Sequence, residues 1–318
     1  MENSKEAKKN NSLKLFVPAF IFSFLLFWGI NFLQKTLEKF FFDYISQPYK
    51  EIHYIAIPQE LKKTKPEIDA RAVISFEVGK NGGSRILFKK NAEQPFPIAS
   101  ITKLMTALVV FENDGEKSYD MDKRMVVSKL AASQEDIPIF GNLKSGENFS
   151  VEEFLNFMLV YSSNDAAWAL SEKEGTGKFI ERMNEKTKEL GVINTGFINP
   201  TGIDPDPLKY SPENVESFNY STAKDLALIS RYILEKYPSV FEITAKESLY
   251  SVPNGIKEVE LKEGQKLIGG KTGYTDEAGG CMLLIVGKEN GSKVVNVVLG
   301  ASSSESRVEE IQKIINWL

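Results

Sequence analysis

The sequence predicts an α/β fold of the α+β kind. One antiparallel sheet is drawn from both ends of the folded region and flanked by helices, with an all-helical subdomain inserted between its halves. Three observations predict it. Residues 72–89 carry strand alternation around an Asn-Gly-Gly turn, and residues 281–299 hold two apolar strand-like runs around a second glycine turn before a closing amphipathic helix. Most of the segments between them carry helical caps and helical spacing. Ahead of the fold, uncharged residues 15–34 predict an amino-terminal transmembrane helix.

The chain has 318 residues, 42% hydrophobic and 26% charged, which suits a protein that buries a sizeable core. A formal net charge of -4 gives no electrostatic footprint for nucleic acid, so no nucleic-acid partner is expected. The one cysteine, Cys281, excludes an intrachain disulfide and a multi-cysteine zinc site, and its apolar surroundings mark it as an inert core thiol. The one histidine, His53, falls in a linker, which argues against a Ser-His-Asp triad, a Cys-His pair and a histidine metal site. No cofactor or metal is expected. A nucleophile here needs a proton acceptor other than histidine.

Residues 1–14 form a polar tail with Lys5, Lys8, Lys9 and Lys14, read as cytoplasmic. Leu15 to Gln34 is long enough to cross a bilayer, although Pro18, Gly29 and Asn31 weaken it. A cleaved signal peptide, leaving a secreted protein, is the competing reading; the run exceeds the usual apolar region and no small-residue cleavage site follows. A buried core helix fits poorly with a lysine-bearing start. The expectation is a single-pass anchor with the amino terminus inside and the remainder outside. Residues 35–67 form a juxtamembrane stalk, amphipathic to Ile45 and then proline-bearing, and the folded domain spans 68–318.

Ala72–Val78 and Arg85–Lys89 are strands joined by the Asn81-Gly-Gly83 turn. An apolar helix follows Ser100, and residues 125–150 are irregular with short strands such as Met125–Ser128. Ser150-Val-Glu-Glu153 is a capping box opening a helix through Phe154 to Val160. The link Tyr161–Ala167 leads to a helix from Trp168 to about Glu174, and Lys178–Leu190 is a helix stopped by Gly191. Asn199–Gly202 and Asp204–Pro207 are turns, and Thr222-Ala-Lys-Asp225 caps a helix to about Tyr237. Strands then cover Leu267–Thr275, Cys281–Val286 and Lys293–Leu299, before a helix over Val308–Leu318.

Ser100 stands three residues before Lys103, so on a helix the two side chains share a face. A lysine in this apolar stretch is partly desolvated, which makes its amine a candidate proton acceptor and Ser100 a candidate nucleophile. Alone the pair is equally a serine cap whose lysine snorkels to the surface. The same spacing recurs at Ser221 and Lys224, where a solvated cap suffices. Ser162-Ser163-Asn164 links two apolar helices; alone it is a polar turn, and Ser217-Phe-Asn219 repeats the spacing. Lys271-Thr272-Gly273 occurs once, in a strand with glycines on both sides of the Lys-Thr pair. Glycine weakens strands, so its use is close approach of another backbone or a bulged edge.

Jointly, Ser-x-x-Lys, Ser-x-Asn and Lys-Thr-Gly in that order match the signature of class A β-lactamases and penicillin-binding proteins. The duplicates stand in reversed order and cannot substitute. From about residue 70 to the end, "PIASITKLMTALVV", "GENFSVEEFLNFMLVYSSNDAAWAL", "NPTGID", "NYSTAKDLALIS" and "GGKTGYTDEAGGCML" together resemble the low-molecular-mass penicillin-binding proteins, the serine D-alanyl-D-alanine carboxypeptidases.

That resemblance implies a β-lactamase/DD-peptidase-like fold and a peptidoglycan stem peptide ending in D-Ala-D-Ala as substrate, with β-lactam antibiotics as inhibitors. It implies that Ser100 attacks, Lys103 accepts its proton, Ser162 relays a proton to the leaving amine, and Asn164 holds the substrate amide and orients Lys103. Lys271 and Thr272 would hold the terminal carboxylate. Gly273 would let the substrate lie along the strand, and the N–H groups of Ser100 and Tyr274 would form the oxyanion hole. The middle of the second motif is Ser163 and not the aspartate of class A β-lactamases. The only E-x-x-L-N stretch, Glu152–Asn156, precedes that motif, which disfavours a β-lactamase. An endopeptidase acting on cross-links, a β-lactamase and a silent penicillin-binding scaffold are the alternatives.

Overall fold

The computed structural model describes residues 26–30, 32–37, 64–112, 119–134, 142–204, 215–246 and 255–318. The chain divides into two compact units, Met1–Glu51 and Ile52–Leu318. In the first, residues 26–30 and 32–37 are helical, and Leu26, Phe27, Trp28, Ile30, Phe32 and Leu33 are exposed. The rest of the expected span, the tail 1–14, most of the stalk with His53, and the turn residues 205–207 lie outside the described residues. Among the described residues no helix is long and apolar enough to cross a membrane, so the structure gives the transmembrane helix no support.

In the second unit the strands are β1 (Ala72–Val78), β2 (Ser84–Lys90), β3 (Phe96–Pro97), β4 (Arg124–Val126), β5 (Asn148–Ser150), β6 (Tyr220–Ser221), β7 (Gln265–Thr275), β8 (Gly279–Lys288) and β9 (Lys293–Ala301). The helices are α1 (Lys103–Phe111), α2 (Val151–Val160), α3 (Asn164–Glu172), α4 (Thr176–Glu189), α5 (Ala223–Lys236), α6 (Ser239–Thr244) and α7 (Ser306–Trp317). Five strands make one antiparallel sheet in the order β2-β1-β9-β8-β7. Both chain ends therefore meet in it, with Ser75 opposite Asn296, as the sequence predicts.

The sheet is covered on both faces. Along β1, Ala72, Ile74 and Phe76 join the larger core shared with the helical middle, whereas Val73 joins a smaller one with Ile311, Ile314 and Ile315 of α7. In β8, Cys281, Leu283 and Ile285 face the first core, and Met282, Leu284 and Val286 the second. That division is the two-residue strand period with an apolar partner on either side, which is why β8 reads as an unbroken apolar run. Each such side chain removed from water contributes about 1.5–3 kcal/mol.

The capping box at Ser150 forms as expected: its side chain accepts from Glu153 N–H while the Glu153 carboxylate accepts from Ser150 N–H. Gly191 ends α4 with φ 68°, in the left-handed region that glycine tolerates. Other expectations shift. The helix placed at Trp168 begins at Asn164, because Ser163 Oγ accepts from Ala166 N–H and caps it. At Ser221-Thr-Ala-Lys224 the cap is Thr222, and both Ser221 and Thr222 are buried, not solvated. The short strand expected at Met125–Ser128 forms as β4 and pairs with β5, whereas the short helix α6 and the pair β3–β6 have no counterpart in the sequence reading. These last elements, of six and two residues, carry too few periods for a sequence pattern to show.

Candidate active site

A 3-10 turn, Ala99–Thr102, runs directly into α1 and carries Ser100 beside the first helical residue, Lys103. Ala99 takes φ 45°, unusual for a residue with a Cβ, and turns the chain so that Ser100 faces the sheet end. Two glycines make room for that turn. A Cβ at Gly202 would stand 2.0 Å from the Ala99 carbonyl oxygen, and one at Gly273 would stand 2.8 Å from the Ser100 nitrogen. Gly202 also holds φ 87°, so Gly202→Ala is expected to cost at least about 3 kcal/mol through clash and strain, measured by denaturant unfolding.

Lys103 is fully buried among the apolar side chains of α1. Its Nζ lies 2.8 Å from Ser100 Oγ, 2.7 Å from Asn164 Oδ1 and 2.7 Å from the Thr201 carbonyl oxygen. Burial alone would make a lysine costly, and these oxygens offset that cost. The surface-snorkelling reading of the pair is therefore excluded. Asn164 reaches the amine because α3 starts there, and the preceding Ser162 takes φ 63° in the short link between α2 and α3.

The third motif enters from β7, the edge strand of the sheet. Lys271 is 4% exposed, and its Nζ donates to Ser162 Oγ at 2.9 Å and to the Thr272 carbonyl at 2.8 Å. Lys271 and Gly273 pair with Leu283 and Cys281, which puts them on the face of the larger core and of Ser100. The pleat turns Thr272 the other way; its methyl is 3.3 Å from where a Gly255 side chain would begin. Tyr274, 47% exposed, stands at the rim. Burial, then the like charges of Lys103 and Arg307, hold the Lys271 amine well below the usual lysine range.

Ser100, Lys103, Ser162, Asn164, Lys271 and Gly273 thus converge from a helix start, an interhelical link and a sheet edge. The duplicate pair does not join them, since Lys224 Nζ meets Glu93 at 3.2 Å on the surface.

Residues 59–303 match the Peptidase_S11 family, D-alanyl-D-alanine carboxypeptidase. The chain belongs to that family. It is 32% identical over 260 residues to the D-alanyl-D-alanine carboxypeptidase DacF of Bacillus subtilis, covering 79% of this chain and 62% of that relative. The chain therefore spans less than two thirds of that relative's length. Among solved structures it is similar to Penicillin-Binding Protein D2 from Listeria monocytogenes in the cefotaxime-bound form. The TM-score is 0.65 with 28% identity, covering 80% of this chain and 99% of that one. Penicillin binding protein 6B from Escherichia coli gives a TM-score of 0.66 with 28% identity, over 83% of this chain and 81% of that one.

In this family member two contributors escape sequence reasoning. The Thr201 carbonyl is a backbone group and leaves no mark in a motif. Arg307, on the first turn of α7, donates from Nη1 to the Gly273 carbonyl at 2.9 Å and adds a third cation near Lys103 and Lys271. Its only sequence signal is a basic residue at a helix start, where the helix dipole disfavours one. Cys281, as expected, is buried on β8, and burial pushes its thiol up to about 11. Glu152, the nearest match to a deacylating glutamate, is exposed on α2.

Proposed function

We propose that this protein is a serine-type D-Ala-D-Ala carboxypeptidase that trims peptidoglycan stem peptides through a Ser100 acyl-enzyme. The observation that carries the reading is Ser100 Oγ held 2.8 Å from a buried amine, with Lys271 converging on the same cleft. The substrate lies along the free edge of β7. Lys271 and the potential of Arg307 hold its terminal carboxylate. Lys103 takes the Ser100 proton as Oγ bonds to the penultimate D-alanine carbonyl carbon. The N–H groups of Ser100 and Tyr274 receive the oxyanion; one such donor contributes about 3 kcal/mol in the transition state.

Collapse of the tetrahedral adduct breaks the C–N bond, and Ser162 passes a proton to the departing D-alanine amine. Water then cleaves the ester and returns the proton to Ser100. A β-lactam enters as a mimic and acylates Ser100. The exposed position of Glu152 weighs against rapid hydrolysis of that adduct, and so against a β-lactamase. Residues 15–34 tether the domain to the bacterial cytoplasmic membrane in this reading; the length of the uncharged apolar run in the sequence supports it.

The test combines two measurements on the purified protein. Expected are D-alanine release from a pentapeptide and a long-lived penicillin adduct mapped to Ser100 by mass spectrometry. Rapid penicillin turnover would make it a lactamase, and an adduct without D-alanine release a silent scaffold. Cleavage of a cross-linked dimer into its two monomeric stem peptides would add endopeptidase action.

A pH dependence follows from Lys271. Its native pKa is lowered, so between that value and the unfolded one the unfolded chain binds more protons and stability rises with pH. Substrate binding runs the other way, because the carboxylate wants the charged amine. KM for the pentapeptide is expected to climb with pH well before the ordinary lysine range. Lys271→Arg, permanently charged, is expected to remove that climb.

A further inference from the structure

Asn219, which completes the second Ser-x-Asn spacing, is 4% exposed and lies between two backbone segments of the cleft. Its Nδ2 donates to Thr102 Oγ1 at 3.0 Å and to the Asn199 carbonyl at 2.9 Å. Its Oδ1 accepts from the N–H groups of Ile198 at 2.7 Å and Asn199 at 3.2 Å. Its own carbonyl accepts from Ile98 N–H at 3.0 Å. Ile98 and Thr102 bracket Ser100, so one residue grips the nucleophile turn at both ends.

The other segment is Asn199–Gly202. Asn199 Oδ1 accepts from Thr201 N–H at 3.1 Å and Gly202 N–H at 2.7 Å, which closes the turn. Thr106, on the first turn of α1, donates from Oγ1 to the Pro200 carbonyl at 2.7 Å. Between these two clamps the Thr201 carbonyl is aimed at Lys103 Nζ.

We propose that Asn219 is a positioning residue that sets the direction of the Lys103 lone pair; this rests on Lys103 being the base. Carbonyl oxygens only accept. A neutral amine that gives its two N–H groups to Asn164 Oδ1 and Thr201 O turns its lone pair on the Ser100 hydroxyl. If the Thr201 carbonyl swings away, an N–H is released, points at Ser100 Oγ and rotates the lone pair off the proton it must take. Lys271, Arg307 and the β7 edge are untouched by that change. The defect belongs to the chemical step and not to binding.

The test measures Ser100 acylation by penicillin in the full chain over a range of concentrations, separating the limiting rate from the half-saturation constant. Asn219→Ala is expected to lower the limiting rate on the order of 10²-fold, with half-saturation unchanged. Thr106→Val, which removes the other clamp, is expected to slow the same step less. Asn219→Gln, keeping a carboxamide, is expected to recover part of the rate. Asn296→Ala removes a buried asparagine bonded to Ser75 Oγ in the sheet, and is expected to lose stability at the wild-type rate. A wild-type rate in Asn219→Ala, an equal slowing in Asn296→Ala, or a change confined to half-saturation overturns the inference. Should Asn219→Ala fail to fold, a wild-type rate in Thr106→Val overturns it. Wild-type protein that forms no adduct on Ser100 removes the underlying reading and the inference with it.

Discussion

In Ser100→Ala, D-alanine release from a pentapeptide is expected to fall about 10⁵-fold, to the background of the assay. The substitution removes one oxygen from a 3-10 turn that two hydrogen bonds with Asn219, at Ile98 N–H and Thr102 Oγ1, already hold at its ends. Lys103 keeps Asn164 Oδ1 and the Thr201 carbonyl as acceptors, so no buried charge is stranded. Thermal unfolding is therefore expected to change little, and penicillin is expected to bind reversibly without a mass adduct. The decisive readout is the adduct. A modified peptide elsewhere in the chain, or residual D-alanine release near the wild-type rate, would move the nucleophile away from Ser100.

Lys103→Met is the second large effect. Methionine has nearly the same length and shape, fits an interior position with no exposure, and lacks the amine. Loss of a positioned general base lowers the acylation rate by about 10³-fold. Stability responds to two opposed changes. Asn164 Oδ1 and the Thr201 carbonyl each lose a donor, at about 1–3 kcal/mol per buried group. Against this, the cost of desolvating the amine disappears, so the net shift in unfolding free energy is expected to stay small. Stopped-flow acylation by a fluorescent penicillin measures the first, and denaturant melts the second. Acylation within tenfold of wild type would assign the proton to another group, with Ser162 and Lys271 the nearest in the cleft.

The strands that build the sheet are legible because each is a run of apolar residues, alternating or continuous, bounded by turns. β1, β8 and β9 are seven to ten residues long, and both of their faces are apolar. The capping box at Ser150 was equally legible, since a helix cap is a local contact among four consecutive residues. By contrast α6 and the two-residue pair β3–β6 exist because neighbouring elements hold them, and no local pattern announces them. The start of α3 at Asn164 was misplaced for a related reason. In the sequence Ser163 belongs to a polar link, whereas in the fold its hydroxyl caps the helix and so fixes where Asn164 points.

The sequence by itself determined the candidate residues and their order: a hydroxyl three residues before an amine on one helical turn, a Ser-x-Asn link and a Lys-Thr-Gly strand. It did so because each motif is a short-range arrangement of covalent neighbours. The tertiary structure decided which copies of those motifs meet. Ser100 and Lys103 join Asn164, 61 residues away, while Ser221 and Lys224 are drawn into separate contacts. It also supplied the parts with no motif, the Thr201 carbonyl, Arg307 and Asn219, whose bonds to Lys103, Gly273 and Thr102 cross 98, 34 and 117 residues. Contacts over such separations depend on how the two cores close around the sheet, and that is a property of the packed chain.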